Sequence, residues 1–122
     1  MVNPVNWFEI PVMDMKRAKA FYEKVFGYSL SLHDMGPLHM AWFPMEDKAP
    51  GAAGSLVQGE MYEPCDTGHV IYFSVEDITG TLEKAKKNGG TIQNPKTGIG
   101  EYGFIGHFKD TEGNCIGLHS MK

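Results

Sequence analysis

Apolar and polar residues alternate over residues 5–13, with Phe8, Ile10 and Val12 on one side and Val5, Trp7, Glu9 and Pro11 on the other, as in a half-buried strand. Pro11 has no N–H for a ladder, so this strand belongs at a sheet edge. The period then changes. Met15, Ala18, Phe21, Tyr22, Val25 and Phe26 recur at helical spacing. Asp14 is placed to cap that helix and Gly27 to end it. Residues 28–33 read as a strand, 34–37 as a turn, 38–44 as a strand, 46–51 as a loop and 52–59 as a small-residue strand. Residues 60–67, holding Pro64 and Cys65, read as a linker.

The order then repeats. Residues 70–75 read as a strand, and Asp77 caps a helix with the stripe Ile78, Leu82 and Ala85. Asn88, Gly89 and Gly90 stop it. A strand begins at 91–93, 95–100 reads as a loop, 102–109 as a strand, 110–114 as a turn and 115–120 as the last strand. Val12 and Val75, Asp14 and Asp77, and Gly27 and Gly90 each lie 63 residues apart. Each half therefore reads strand, helix, strand, strand, strand. The expected fold is α+β: one domain over 1–122 made of two tandem βαβββ modules, about 1–63 and 64–122. They form a cupped, open, barrel-like sheet with the helices outside.

The residues Val12-Met13-Asp14, Ala18, Phe21-Tyr22 and Phe26-Gly27, with Val75-Glu76-Asp77-Ile78, Asn88-Gly89-Gly90 and Asp110-Thr111-Glu112-Gly113-Asn114, resemble the vicinal oxygen chelate superfamily. That superfamily includes glyoxalase I, bleomycin-resistance proteins and extradiol dioxygenases. The likeness spans essentially the whole chain and is greatest to bacterial proteins related to lactoylglutathione lyase. It implies a homodimer and a small-molecule site in the concave sheet. In metal-dependent members, His, Glu or Gln ligands hold a metal that acts as a Lewis acid on vicinal substrate oxygens. Carried over, the ligand positions fall on Trp7, Val70, Gly117 and a residue near Ser55 or Leu56, none of them His, Glu or Gln. His69 is one residue away from such a position, which on a strand points a side chain to the other face. The expectation is a protein without the usual metal site and without a cofactor.

Glu9, Tyr72 and His119 each lie two residues beyond a ligand position, on the same strand face. Glu9 and His119 are the candidate catalytic acid–base residues or a displaced metal site; alternatively they satisfy each other as a buried pair. Trp7, Trp42, Val70, Tyr72 and Gly117 are the candidate ligand-binding residues, with Met40 beside the tryptophans, although the aromatics could equally be core. His33, His39 and His107 lack ligand spacing and read as surface or loop-edge residues. The functional alternatives are a metal-free binder of the bleomycin-resistance kind, a lyase or isomerase related to lactoylglutathione lyase, and a ligand-free structural or regulatory dimer.

Charge changes this picture little. Eleven basic and fifteen acidic residues give a net charge of -4, and the lysines are scattered. Nucleic acid is therefore not the expected partner, since phosphates need a concentrated basic face. No apolar run is long enough to span a membrane. Cys65 and Cys115 form no metal-binding pattern and fit a reducing, cytoplasmic setting, with a disulfide between them left open.

Overall fold

The computed structural model describes residues 3–122. Strand β1 (Trp7–Pro11), helix α1 (Met15–Phe26) and strands β2 (Ser31–Met35), β3 (Leu38–Trp42) and β4 (Ala53–Gln58) form the first half. Strand β5 (Ile71–Ser74), helix α2 (Ile78–Lys87) and strands β6 (Thr91–Gly98), β7 (Phe104–Lys109) and β8 (Cys115–Ser120) form the second. The sheets run β1-β4-β3-β2 and β5-β8-β7-β6, each mixed and each with its first strand at an edge. These are the two βαβββ modules expected, and the sheet is open: no ladder joins the halves among the described residues.

Both helices start as the sequence dictates. The Asp14 carboxylate accepts from Arg17 N at 3.1 Å and that of Asp77 from Gly80 N at 3.0 Å. Gly27 takes a left-handed φ of 76°, and its N–H closes α1 on Glu23 O. Two boundaries differ clearly from expectation. β2 starts at Ser31 and takes in Asp34 and Met35 of the expected turn. β6 continues through Pro95 to Gly98, where a loop was read. It is an edge strand with register shifts at Asn94, so a missing N–H is tolerated there.

The helix-facing sides of both sheets share one core. Phe8 and Phe43 from the first sheet meet Phe73 from the second, with Tyr22 and Phe26 of α1 among them. Phe26 stacks on Phe73 at 4.5 Å between centroids.

A polar clamp closes the same joint. Buried Tyr22 donates to Asp110 Oδ2 at 2.6 Å, while Asp110 Oδ1 accepts from Glu112 N and Asn114 N. Asn114 donates to Pro11 O at 2.7 Å and accepts from Cys65 N. The Glu112 side chain is fully buried. It accepts from Met13 N and Asp14 N at the start of α1 and takes two bonds from Arg17, at 2.7 and 2.9 Å. Desolvation alone would raise its pKa. The Arg17 bond, the Met13 amide, Thr111 and the Asp14 amide outweigh that and hold it at about 2. Burial, then Asp110, pushes the Tyr22 phenol well above its usual value.

Candidate functional site on the helix-free faces

Alternation along the strands sends Phe8, Ile10, Ala41 and Leu56 to the core and Trp7, Glu9, Met40, Trp42, Ser55 and Val57 to the opposite face. Register then sets Glu9, Ser55, Trp42 and Ser31 directly opposite one another, one row across all four strands of the first sheet. β4 is the sheet's interior, and its small residues leave room for the rings around it. Trp7 and Trp42 meet edge to face with centroids 5.9 Å apart. His33, half-buried on the outer strand β2, stacks on Trp42 at 3.7 Å between centroids.

On this face, Ser55 Oγ and the indole Nε1 of Trp42 are buried and have no hydrogen-bond partner among the described residues. A buried unpaired group of this kind costs about 1–3 kcal/mol. Glu9, at the end of the row, accepts from Tyr62 at 3.0 Å and borders a pocket of about 200 Å³ with Cys65, His69 and Cys115. Both cysteines are free thiols. Thr67 hydrogen bonds lower the pKa of exposed Cys65, while burial raises that of Cys115.

The second sheet repeats the arrangement with other chemistry. Tyr72, Gly117, His107 and Asn94 stand opposite one another across β5, β8, β7 and β6. Tyr72 Oη lies 2.7 Å from His107 Nε2, and Asn94 Nδ2 lies 3.1 Å from His107 Nδ1. His107 is thus in the middle of a polar row, not at a loop edge. Its alternation with Ile105 and Lys109, opposite Gly117, is the signal that marks this face. His119 is on the same face, paired in register with Ser74 and Ile105. Its Nε2 lies 2.7 Å from the Tyr102 carbonyl, which can only accept. Nε2 therefore carries a proton, and Nδ1 has no partner among the described residues.

Among the candidate residues, Trp7 and Trp42 are brought together, as are Tyr72 and Gly117. Val70 lies just before β5 and is 40 % exposed. Glu9 and His119 do not satisfy each other; Tyr62 and Tyr102 are their partners. A larger groove of about 920 Å³ lies on the other side of the first sheet, between α1 and the β2–β3 hairpin. Lys19 pairs with Glu23 there and His39 contacts Asp34, so its polar groups are largely engaged with one another.

The residues at the family's ligand positions do not fit a metal. Trp7 and Val70 have no donor for one, and Ser55 offers a neutral hydroxyl. At Gly117 even a Cβ would lie 2.5 Å from the Tyr72 ring. Among the described residues, no group of three His, Cys, Asp or Glu side chains could hold an ion.

Known proteins place this architecture. A model of the glyoxalase/bleomycin resistance protein/dioxygenase superfamily matches residues 5–118. The chain is 31 % identical over 120 residues to the protein YetH of Bacillus subtilis, covering 95 % of this chain and 97 % of that one. Its fold matches a glyoxylase/bleomycin resistance protein/dioxygenase domain from Frankia sp. EAN1pec over the full length of both, with a TM-score of 0.76 at 17 % identity. Glyoxalase I from Zea mays gives a TM-score of 0.71 at 20 % identity, covering 97 % of this chain and 46 % of the maize chain. By its sequence match and its two βαβββ modules, the chain belongs to the glyoxalase/bleomycin resistance protein/dioxygenase superfamily.

Proposed function

We propose that this protein binds a small, largely apolar molecule on the helix-free face of its first sheet. Trp7 and Trp42 form the walls; Ser55, Trp42 Nε1 and Glu9 supply the polar contacts. The observation that carries this reading is the pair of buried polar atoms without a partner among the described residues, Ser55 Oγ and Trp42 Nε1, on the face where Trp7 and Trp42 meet. Native structures rarely leave such groups unsatisfied without a use for them. Two donors beside a carboxylate suit a ligand that presents a carbonyl or hydroxyl oxygen and one donor of its own. Both chains of a homodimer would carry such a face.

The test is a thermal-shift panel of aromatic and carbonyl compounds, read by the fluorescence of Trp7 and Trp42. A ligand that binds only the native state raises the melting temperature. Trp42→Phe keeps an aromatic ring but loses the indole N–H together with part of the ring surface, so it should weaken any compound that binds there at least about five- to tenfold. If no member of the panel raises the melting temperature or alters the fluorescence, the reading falls.

A second reading is favoured by His119 Nδ1, which has no partner among the described residues, and by the exposed Glu9 carboxylate. Either could move a proton, as in a lyase or isomerase related to lactoylglutathione lyase. Glu9→Gln would then abolish turnover of a hemithioacetal or similar carbonyl substrate and leave the melting temperature unchanged. Turnover retained in Glu9→Gln would remove Glu9 from that role.

A further inference from the structure

The row on the second sheet carries a function of its own. β5 and β7 are not neighbours; β8 lies between them, so their backbones are about 10 Å apart. Tyr72 nevertheless reaches His107 at 2.7 Å. It does so because its ring passes over Gly117, where any Cβ would lie 2.5 Å from the ring. The missing side chain at 117 is therefore what allows the contact.

Beyond His107, the chain of donors has a direction. The Asn94 amide nitrogen, 3.1 Å from His107 Nδ1, can only donate, so Nδ1 accepts. A neutral imidazole then carries its one proton on Nε2, and that N–H donates to Tyr72 Oη. The phenol's own proton has no acceptor among the described residues, and Tyr72 is 48 % exposed on this face. A hydroxyl whose oxygen already accepts a hydrogen bond is polarised and donates more strongly. Such a donor discriminates most in favour of a charged acceptor. Exposed Val70, two residues earlier on the same face, adds an apolar contact beside it.

We propose that the Tyr72 hydroxyl is the hydrogen-bond donor of a binding site for an anionic oxygen on an apolar body, a phenolate or an enolate. His107 is the residue that positions it, and Asn94 sets the tautomer of His107. This rests on the reading that the helix-free faces take up small molecules, but on the second sheet and not on the Ser55–Trp42 row.

The experiment uses the 122-residue protein with 4-nitrophenolate as the probe and nitrobenzene, which lacks the phenolate oxygen, as the control. Ring-nitrogen NMR of labelled protein should show His107 protonated at Nε2 and bare at Nδ1. Calorimetric titration should show Tyr72→Phe binding 4-nitrophenolate about ten- to a hundredfold more weakly, with nitrobenzene affected little. His107→Gln, whose amide can still donate to Tyr72, should retain more of the affinity than His107→Ala. The proposal is overturned by a proton on Nδ1, by equal affinities of the parent and Tyr72→Phe proteins, or by no binding of 4-nitrophenolate to the parent protein. The two readings fail separately. A thermal-shift panel that leaves the Trp7–Trp42 face silent removes the first-sheet site alone, and 4-nitrophenolate binding that responds to Trp42 but not to Tyr72 removes this one alone.

Discussion

Asp110 and Ser55 are both buried, at 5 % and 0 % exposure, yet they are treated in opposite ways. Asp110 accepts from Tyr22 Oη, Glu112 N, Asn114 N and Asn114 Nδ2. The Ser55 hydroxyl has no partner. The first belongs to the joint between the halves, where every lone pair is used and the polar groups stabilise the fold. The second belongs to a sheet face whose polar groups add nothing to stability as they stand. The difference separates two uses of burial in one small protein. A satisfied network fixes the modules against each other, and an unsatisfied row is left for something that arrives later.

If that division is right, the largest stability effect comes from the clamp. Asp110→Ala should cost about 3–5 kcal/mol, because it strands the buried Tyr22 hydroxyl and frees the 110–114 turn. Urea unfolding measures it directly. A loss below about 1 kcal/mol would mean the clamp is no more structural than the open row.

Acid reaches the clamp next. Glu112 has its pKa lowered from 4.5 to about 2, so its stabilisation is complete above about pH 4.5 and drains away as pH falls toward 2. A shift of that size would amount to about 3 kcal/mol if undiluted. Arg17 is half exposed, and solvent screening reduces the expected loss to about 1–2 kcal/mol. Glu112→Gln should remove this part of the pH dependence. An identical acid profile in the variant would show that Arg17 and the two amides contribute nothing net.

A smaller effect tests the second sheet. Gly117→Ala pushes the half-exposed Tyr72 ring off its path to His107, and losing that hydrogen bond should cost about 1 kcal/mol. His107 ring-nitrogen shifts should move as well. Unmoved shifts would show that Tyr72 reaches His107 by another path.

Much of this was readable from residue order, for a definite reason. Period and caps are local signals, and Asp14, Gly27 and Asp77 act within four residues of themselves. The strand faces were readable too, since alternation puts Trp7 with Glu9 and Met40 with Trp42, though only the register through Ser55 sets the two pairs on one side. What was not readable acts at a distance. The Asp-x-Glu-Gly-Asn run stands out as a family mark, but the role of Glu112 depends on amides 98 and 99 residues away. His107 carries no metal-like spacing, and its meaning comes from Gly117 on one neighbouring strand and Asn94 on the other. Pro95 reads locally as a breaker, and only its place on an outer strand makes it harmless.

Ser55→Ala provides the smallest effect and the one of opposite sign. Its hydroxyl is buried without a partner, so removing it relieves a desolvation cost instead of breaking a bond. The methyl group that remains keeps the packing between β1 and β3 nearly unchanged. Stability should therefore stay level or rise by up to about 1 kcal/mol. The same change should weaken any compound found on the Trp7–Trp42 face, because the donor meant for it is gone. Stability and binding then move in opposite directions, which is how a residue kept for a ligand behaves. A Ser55→Ala protein that is clearly less stable would show that the hydroxyl has a structural partner after all, and the contrast with Asp110 would disappear.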